Sequence, residues 1–400
     1  MNDIDFLAPD AVDDPHAYFG PWRDADPIQW SDRHRAWIIM GHPELNDAFH
    51  DKRLSTERMN DFRGRLSGRR AKALAKAIDL LDGWMLFHEP PEHTRLRAPL
   101  ARSFTPKAVG GLEKRVAGLV DALLDDMAQV DGGDLVASFA HPLPAAVIAE
   151  LFGVPPDQRD WLAGWSEKFG VVVFGAVNRP DYETLAEEAG DELEGRLRPL
   201  FDRYRSEPED NLLSLLLAGE GADDGLTTAE ILGACSILLF AGHDTTASLL
   251  GSGAVALCRD PDARRRLVDL DGDDLDTAVE ELLRFEAPAK AMMRTVAESH
   301  DRGGRSFEAG QAVFMAILAA NRDPRVFDDA HRLHLDRDPN PHLTFGHGHH
   351  FCLGAALARL EIRLALPALL RRFPKLELSD APTWKPTLSD RSASHIAVRW

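Results

Sequence analysis

The chain has 400 residues, 44% hydrophobic and 28% charged, ordinary proportions for a globular protein large enough to bury an extensive core. Its 46 basic residues against 65 acidic ones leave a formal charge of −19, which disfavours nucleic-acid phosphate and anionic lipid as partners. Three scattered cysteines, Cys235, Cys258 and Cys352, exclude a disulfide framework and point to a reducing compartment.

The N-terminal "MNDIDFLAPDAVDDPHAYF" is acidic and lacks the positive start and apolar core of a signal peptide. No run approaches the roughly 18 apolar residues of a membrane span, so a cytoplasmic protein without a membrane partner is expected. Next, "PIQWSDRHRAWIIMG" alternates around a polar turn and predicts a β-hairpin. In "HEPPEHTRLRAPLARSFTP" a helix is expected from near Pro91, with His93 and Arg97 at i, i+4 on one face, a pairing suited to a carboxylate. Between Thr94 and Leu112 lie Arg95, Arg97, Arg102 and Lys107 and no acid.

Further on, "GLEKRVAGLVDALLDDMAQV" and "DYETLAEEAGDELEGRLRPLFDRYRS" carry apolar residues at helical spacing. The acidic "SEPEDNLLSLLLAGEGADDGL" is expected to be a surface loop. Thr227-Thr228-Ala229-Glu230 is a capping box that starts a helix, and nothing stops it before Pro261. About 30 residues at ~1.5 Å each give a rod of roughly 45 Å. "QAVFMAIL" and the terminal "HIAVRW" are the remaining strand candidates. Many helices and a few small sheets predict one mainly α domain over residues 1–400.

Three stretches carry chemistry. Near the middle of the long helix, "FAGHDTT" collects Gly242, His243, Asp244, Thr245 and Thr246, all weak helix formers there. Such a stretch is either a kink for packing or a groove with an acid and an alcohol for handling protons. In "EELLRFEAP", Glu281 and Arg284 share a helix face, a spacing common by chance. The loop "FGHGHHFCLG", residues 345–354, gathers His347, His349, His350 and Cys352 among glycines. Zinc needs about four ligands, but these side chains are too close in sequence to converge, and no second knuckle exists. A copper site of this composition sits on a β-sandwich, which this chain is not. The glycines suit a tight loop presenting one thiolate ahead of the helix "LGAALARLEIRLAL", whose N-terminus favours a nearby anion. A single thiolate with an apolar pocket beyond it describes haem iron.

"FGHGHHFCLGAALARLE" resembles the haem loop of the cytochrome P450 family, with its Phe-Gly-x-Gly-x-x-x-Cys-x-Gly pattern. "AGHDTT" resembles that family's oxygen-activating helix and "EELLR" its Glu-x-x-Arg helix. "EPPEHTRLR" and "AANRDP" are similar to soluble bacterial members, and the resemblance runs in order from about residue 88 to 372. It implies the cytochrome P450 fold, mainly α with small β-sheets, a triangular-prism single domain around a long central helix.

By the same resemblance, Cys352 is the axial thiolate of haem b, in a loop with Phe345, Gly346 and Gly354. His93, Arg97, Arg294 and His350 are the propionate partners, and Pro99 is a departure that could kink the helix of Arg97. Glu281 and Arg284, with Arg332 as third member, hold the haem loop. Asp244 and Thr245 deliver protons, and Gly242 leaves room for oxygen. The implied activity is an O2-dependent monooxygenase that hydroxylates or otherwise oxidises an apolar or amphipathic small molecule. Alternatives are a peroxide-driven peroxygenase, which would not need the acid–alcohol pair, and a non-catalytic haem sensor or carrier.

Electrons are expected from NAD(P)H through an external ferredoxin reductase and ferredoxin, docked with help from Arg95, Arg97, Arg102 and Lys107, on a monomer. Trp84, Leu86, Phe174, Ile237, Ala241 and Met292 are the implied substrate-pocket candidates. Lys290 is expected at the surface, His347 at a common loop position, and His349 outward where the electron donor docks.

Overall fold

The computed structural model describes residues 3–64, 66–159, 161–173, 179–222 and 225–400. Two compact units emerge: one holds the chain up to Ser55, Glu113–Ala140 and Thr245–Trp400, the other Thr56–Leu112 and His141–Asp244.

The first unit is built on a five-stranded sheet. The predicted hairpin is present as Ile28–Ser31 antiparallel to Ala36–Ile39, with Trp30 opposite Trp37. Ala36–Ile39 then pairs in parallel with Ala312–Met315, within the predicted "QAVFMAIL". Met292–Val296 runs antiparallel to that strand and to Leu54–Ser55. Period-two alternation divides the side chains between two apolar layers. Ile39, Val313 and Met315 join Phe49, Val296, Phe307 and Leu343 on one side, while Ile38 joins Phe6, Phe19 and Ala316 on the other.

A smaller sheet places the terminal strand Ala397–Arg399 between Gly133–Asp134 and Glu377–Leu378. A hairpin not foreseen from the sequence pairs His300–Arg302 with Arg305–Phe307. Its turn, Gly303-Gly304, has φ of +57° and +73°, the left-handed pair that a two-residue turn of this kind needs. Among the helices of this unit, Ala355–Arg372 packs on both Glu113–Met127 and Gly272–Phe285.

The second unit is helical. Tyr182–Ser206 packs on Leu162–Val173 and Ala75–Asp82 through Ala186, Ala189, Leu193 and Leu197, its predicted apolar stripe. The segment expected to be a surface loop contains a helix instead, Leu212–Ala218. Asn211 caps it by accepting from the Ser214 N–H, and Leu212, Leu213, Leu216 and Leu217 are buried. Acidic flanks obscured an apolar face only two turns long.

The long helix runs unbroken from Thr228 to Arg259, 32 residues or roughly 48 Å. Its capping box is formed: the Thr227 N–H donates to Glu230 Oε2 at 2.8 Å, and the Glu230 N–H to Thr227 Oγ1 at 3.3 Å. Among the described residues, no helix is long and apolar enough to cross a membrane.

Candidate active site

The cysteine loop is shaped by backbone constraints. Gly346 and Gly348 adopt φ of +66° and +73°, which side chains rarely tolerate. A Cβ on Gly346 would also stand 3.2 Å from Phe49 Cε1. The Cys352 N–H donates to the Phe345 carbonyl at 2.9 Å and closes the loop. Two residues later the helix Ala355–Arg372 begins at Gly354 with no side-chain cap, so its N-terminal dipole faces the thiol's end of the loop unmasked. Phe345 is buried, with the Arg359 guanidinium 4.5 Å above its ring.

The three histidines of the loop have different surroundings. The His347 ring lies against His50 and Phe49, at 5.8 and 6.1 Å. His349 is exposed and His350 half-buried. Among the described residues, no group of three His, Cys, Asp or Glu ligands able to hold an ion includes Cys352. One thiol alone does not make a zinc or copper site. It would suit an iron whose remaining protein-independent ligands come from a macrocycle.

Beneath this loop is a buried polar network. Arg284 Nε and Nη2 each donate to one oxygen of Glu281 at 2.7 Å, and both side chains are 0% exposed. Arg284 Nη1 also donates to the carbonyls of Asn321 and Ala330, at 2.8 and 3.0 Å. Glu281 accepts further from the His334 N–H, Arg337 Nε and Asn340 Nδ2.

Arg332, the expected third member, is exposed and lends only its carbonyl, at 3.2 Å from Arg284 Nη2. Arg337, five positions on, supplies the side chain. A path leads from here into the cysteine loop. Asn321 accepts from the Leu343 N–H and donates to Thr344 Oγ1, both at 2.8 Å, and Thr344 Oγ1 donates to the Leu283 carbonyl. Arg294, on Met292–Val296, is buried, with Nη1 on the Met293 carbonyl. Lys290 is not at the surface: it is 3% exposed, its Nζ donates to the Phe6 carbonyl at 3.4 Å, and burial pulls its pKa down to about 8.

On the long helix every residue from Ile231 to Phe240 is buried, and so is every residue from Thr246 to Leu257. Between them Ala241 is exposed, and Gly242, Asp244 and Thr245 are half-exposed. Ala241, Asp244 and Thr245 stand at i, i+3 and i+4 and so share one face. Gly242 looks elsewhere: a Cβ there would stand 2.7 Å from Ile148 Cδ1, so this glycine serves the crossing of the helix Pro142–Phe152.

Two groups approach the Asp244 carboxylate. Ser166 Oγ lies 3.3 Å from Oδ2, and His243 Nδ1 lies 3.2 Å from Oδ1. Neither Ser166 nor His243 was foreseen as a partner. Adjacency to the acid was the one available signal for His243, and nothing marked Ser166.

His93 and Arg97 sit on the helix Glu92–Ala101, which contains Pro99; His93 is buried and Arg97 half-buried. Arg95 leaves the expected docking run, because it pairs with Glu92 and Glu230. Arg102 and Lys107 are exposed. Of the pocket candidates, Leu86 and Met292 are half-buried and Ala241 is exposed.

Trp84 and Ile237 are core residues instead, at 1% and 5% exposure. The Trp84 ring stacks on Phe87, and its Nε1–H donates to Ser236 Oγ at 2.6 Å. Aromatic size near an implied pocket does not distinguish lining from core. Phe174 lies outside the described residues.

The cytochrome P450 family model matches residues 180–269 and 275–392. The chain is 37% identical to the cytochrome P450 monooxygenase PikC of Streptomyces venezuelae, over 100% of this chain and 94% of that one. It is 36% identical to the 6-deoxyerythronolide B hydroxylase of Saccharopolyspora erythraea, over 91% and 90%. In structure it is similar to the polyketide-synthase cytochrome P450 PksS of Bacillus subtilis, with a TM-score of 0.87 and 30% identity over 99% of each chain. It is also similar to P450BioI in complex with an acyl carrier protein ligated to hexadec-9Z-enoic acid, with a TM-score of 0.88 and 29% identity over 99% of each. The chain belongs to the cytochrome P450 family and is a haem-thiolate monooxygenase.

Proposed function

We propose that the whole chain, 1–400, works as one monooxygenase domain that oxidises an apolar or amphipathic small molecule with electrons from a ferredoxin system. The observation that carries this reading is the face of the long helix where Ala241, Asp244 and Thr245 are accessible between two buried stretches. It offers a small apolar contact, an acid and an alcohol side by side. A purely structural helix of this length would bury that face or cover it with larger apolar residues.

In this reading Cys352 would hold the haem iron through its thiolate, and His93, Arg97, Arg294 and His350 would receive the two propionates. Bound haem iron with a thiolate ligand supplies the chemistry of O–O cleavage. The rest falls to side chains. Asp244 takes protons from solvent at its half-exposed carboxylate and passes them on, and the Thr245 hydroxyl orients the water that carries them. The network from Glu281 through Arg284, Asn321 and Thr344 holds the cysteine loop against drift.

The relatives support a substrate of apolar character: one is named as a hydroxylase of 6-deoxyerythronolide B, and one solved complex carries hexadec-9Z-enoic acid. Exposed Arg102 and Lys107 support docking of an acidic donor. The test is a compound screen for a shift of the ferric Soret band. It is followed by turnover of the hits with ferredoxin, ferredoxin reductase and NADPH, with the carbon monoxide difference spectrum as check on the thiolate. Expected is oxidised product at the expense of NADPH and O2. Product formed only from added hydrogen peroxide, at a rate unchanged in Asp244→Asn, would instead make the protein a peroxygenase.

A further inference from the structure

One buried imidazole stands between the His141 carbonyl and the Asp244 carboxylate. His243 is 3% exposed, and its Nε2 lies 3.1 Å from the His141 carbonyl oxygen. A carbonyl oxygen only accepts, so Nε2 carries a proton. Nδ1 then bears a bare lone pair unless a second proton is present. It lies 3.2 Å from Asp244 Oδ1, and among the described residues Nδ1 makes no formed hydrogen bond, to that carboxylate or to any other group. A lone pair facing an ionised carboxylate oxygen at that distance is repulsive, and burial leaves little water to screen it. One proton between Nδ1 and Oδ1 removes the conflict.

The surroundings keep this pair in register. Ser166 Oγ holds the other carboxylate oxygen at 3.3 Å. The His141 ring meets the His243 ring edge-on, with centroids 5.1 Å apart and planes at 88°. Neither partner can swing away without breaking a contact.

We infer that His243 is a positioning residue for Asp244: it fixes Oδ1 and shares with it one proton that the pair can release to the reaction. The inference rests on the reading of Asp244 as proton donor. When the shared proton leaves, the charge of the pair falls from zero to −1 and the lone pair again faces the carboxylate. That arrangement draws a proton back from solvent through the Asp244 carboxylate, whose side chain is 34% exposed. One proton leaves, one returns, and no electron moves.

The test uses the full-length holoenzyme in three single variants and one double variant. His243→Phe removes both contacts at similar ring size. His243→Gln keeps an amide N–H for the His141 carbonyl but cannot share a proton on the Asp244 side. Asp244→Asn removes the acid.

The first readout is the nitrogen-15 spectrum of the histidine rings, with His243 assigned by its loss in His243→Gln. Expected is a protonated Nε2 and an Nδ1 resonance between the protonated and unprotonated extremes, moving to the unprotonated position in Asp244→Asn. The second is product and peroxide formed per NADPH consumed, with a Soret-shifting compound as substrate. Asp244→Asn is expected to lower product about 10²-fold and each His243 variant about tenfold. The double variant His243→Gln/Asp244→Asn is expected to be no worse than Asp244→Asn alone.

A fully unprotonated Nδ1 in the wild type, wild-type coupling in His243→Gln, or additive losses in the double variant would each overturn the role of His243 while leaving that of Asp244 intact. Unchanged product in Asp244→Asn would remove the reading of Asp244 and this inference with it.

Discussion

Glu281 and Arg284 face each other through two parallel hydrogen bonds of 2.7 Å, with both side chains at zero exposure. Such a pair is costly to desolvate and costlier to break, because the surviving partner keeps a buried charge. Here it also ties the helix Gly272–Phe285 to the segment leading into the cysteine loop, through Asn321 and Thr344.

Glu281→Ala therefore leaves the guanidiniums of Arg284 and Arg337 facing a void. The expected loss is about 3–5 kcal/mol of stability, with little haem retained after purification. Haem content by pyridine haemochromogen, together with denaturant unfolding, measures both. A stable Glu281→Ala holoprotein would show that the pair does not support the loop.

Arg332 and Arg337 separate a backbone role from a side-chain role. Arg332→Ala keeps the carbonyl that Arg284 uses, so its stability should stay within about 0.5 kcal/mol of wild type. Arg337→Ala deletes a charge-assisted bond to Glu281 and should cost about 1.5–3 kcal/mol. The reverse order in thermal unfolding would restore Arg332 as the third member.

These two arginines also mark where sequence stopped being informative. The cysteine loop and the capping box were legible because local geometry demands their residue types: left-handed glycines in one, a reciprocal Thr–Glu pair in the other. Which of two nearby arginines reaches Glu281 depends on how residues 330–340 fold across the helix, and no local spacing encodes that. Lys290 is buried where a surface position is expected for the same reason, since its burial is a tertiary outcome. The helix Leu212–Ala218 was missed because seven residues carry too short a period to stand out between acidic flanks.

Thr245→Ala should leave haem binding and the Soret spectrum unchanged, because Thr245 is half-exposed and outside the buried network. NADPH consumption continues, but product per electron falls at least about tenfold and hydrogen peroxide rises to match. Peroxide and product assayed in the same reaction decide it. Equal coupling in the two proteins would remove the alcohol from the proton route.

Gly242→Ala sets two effects against each other. Alanine gains about 1 kcal/mol of helix propensity over glycine. Its Cβ, however, would stand 2.7 Å from Ile148 Cδ1, and Ile148 is only 2% exposed; overpacking of this kind costs about 1–3 kcal/mol. The single variant is expected to be destabilised. Adding Ile148→Val removes the clashing methyl and should recover stability, giving a coupling of about 1 kcal/mol in the double-mutant cycle. Additive unfolding free energies would mean that the glycine is not there for this crossing.

Lys290 supplies the pH dependence. Burial lowers its pKa to about 8, whereas the unfolded chain holds that proton up to about 10.4. Between those values the unfolded state binds more protons, so stability rises with pH. Below about 8 the folded protein carries a charged, poorly solvated ammonium with one long hydrogen bond to the Phe6 carbonyl. Lys290→Met, of similar length and without charge, should then be more stable than wild type at neutral pH, by roughly 2–3 kcal/mol at most. The advantage should shrink as pH climbs from about 8 towards 10, where the lysine folds neutral. Unfolding of both proteins across that range gives the difference directly. A gap that stays constant with pH would mean that Lys290 keeps its proton in the folded state and that its burial is compensated by its surroundings.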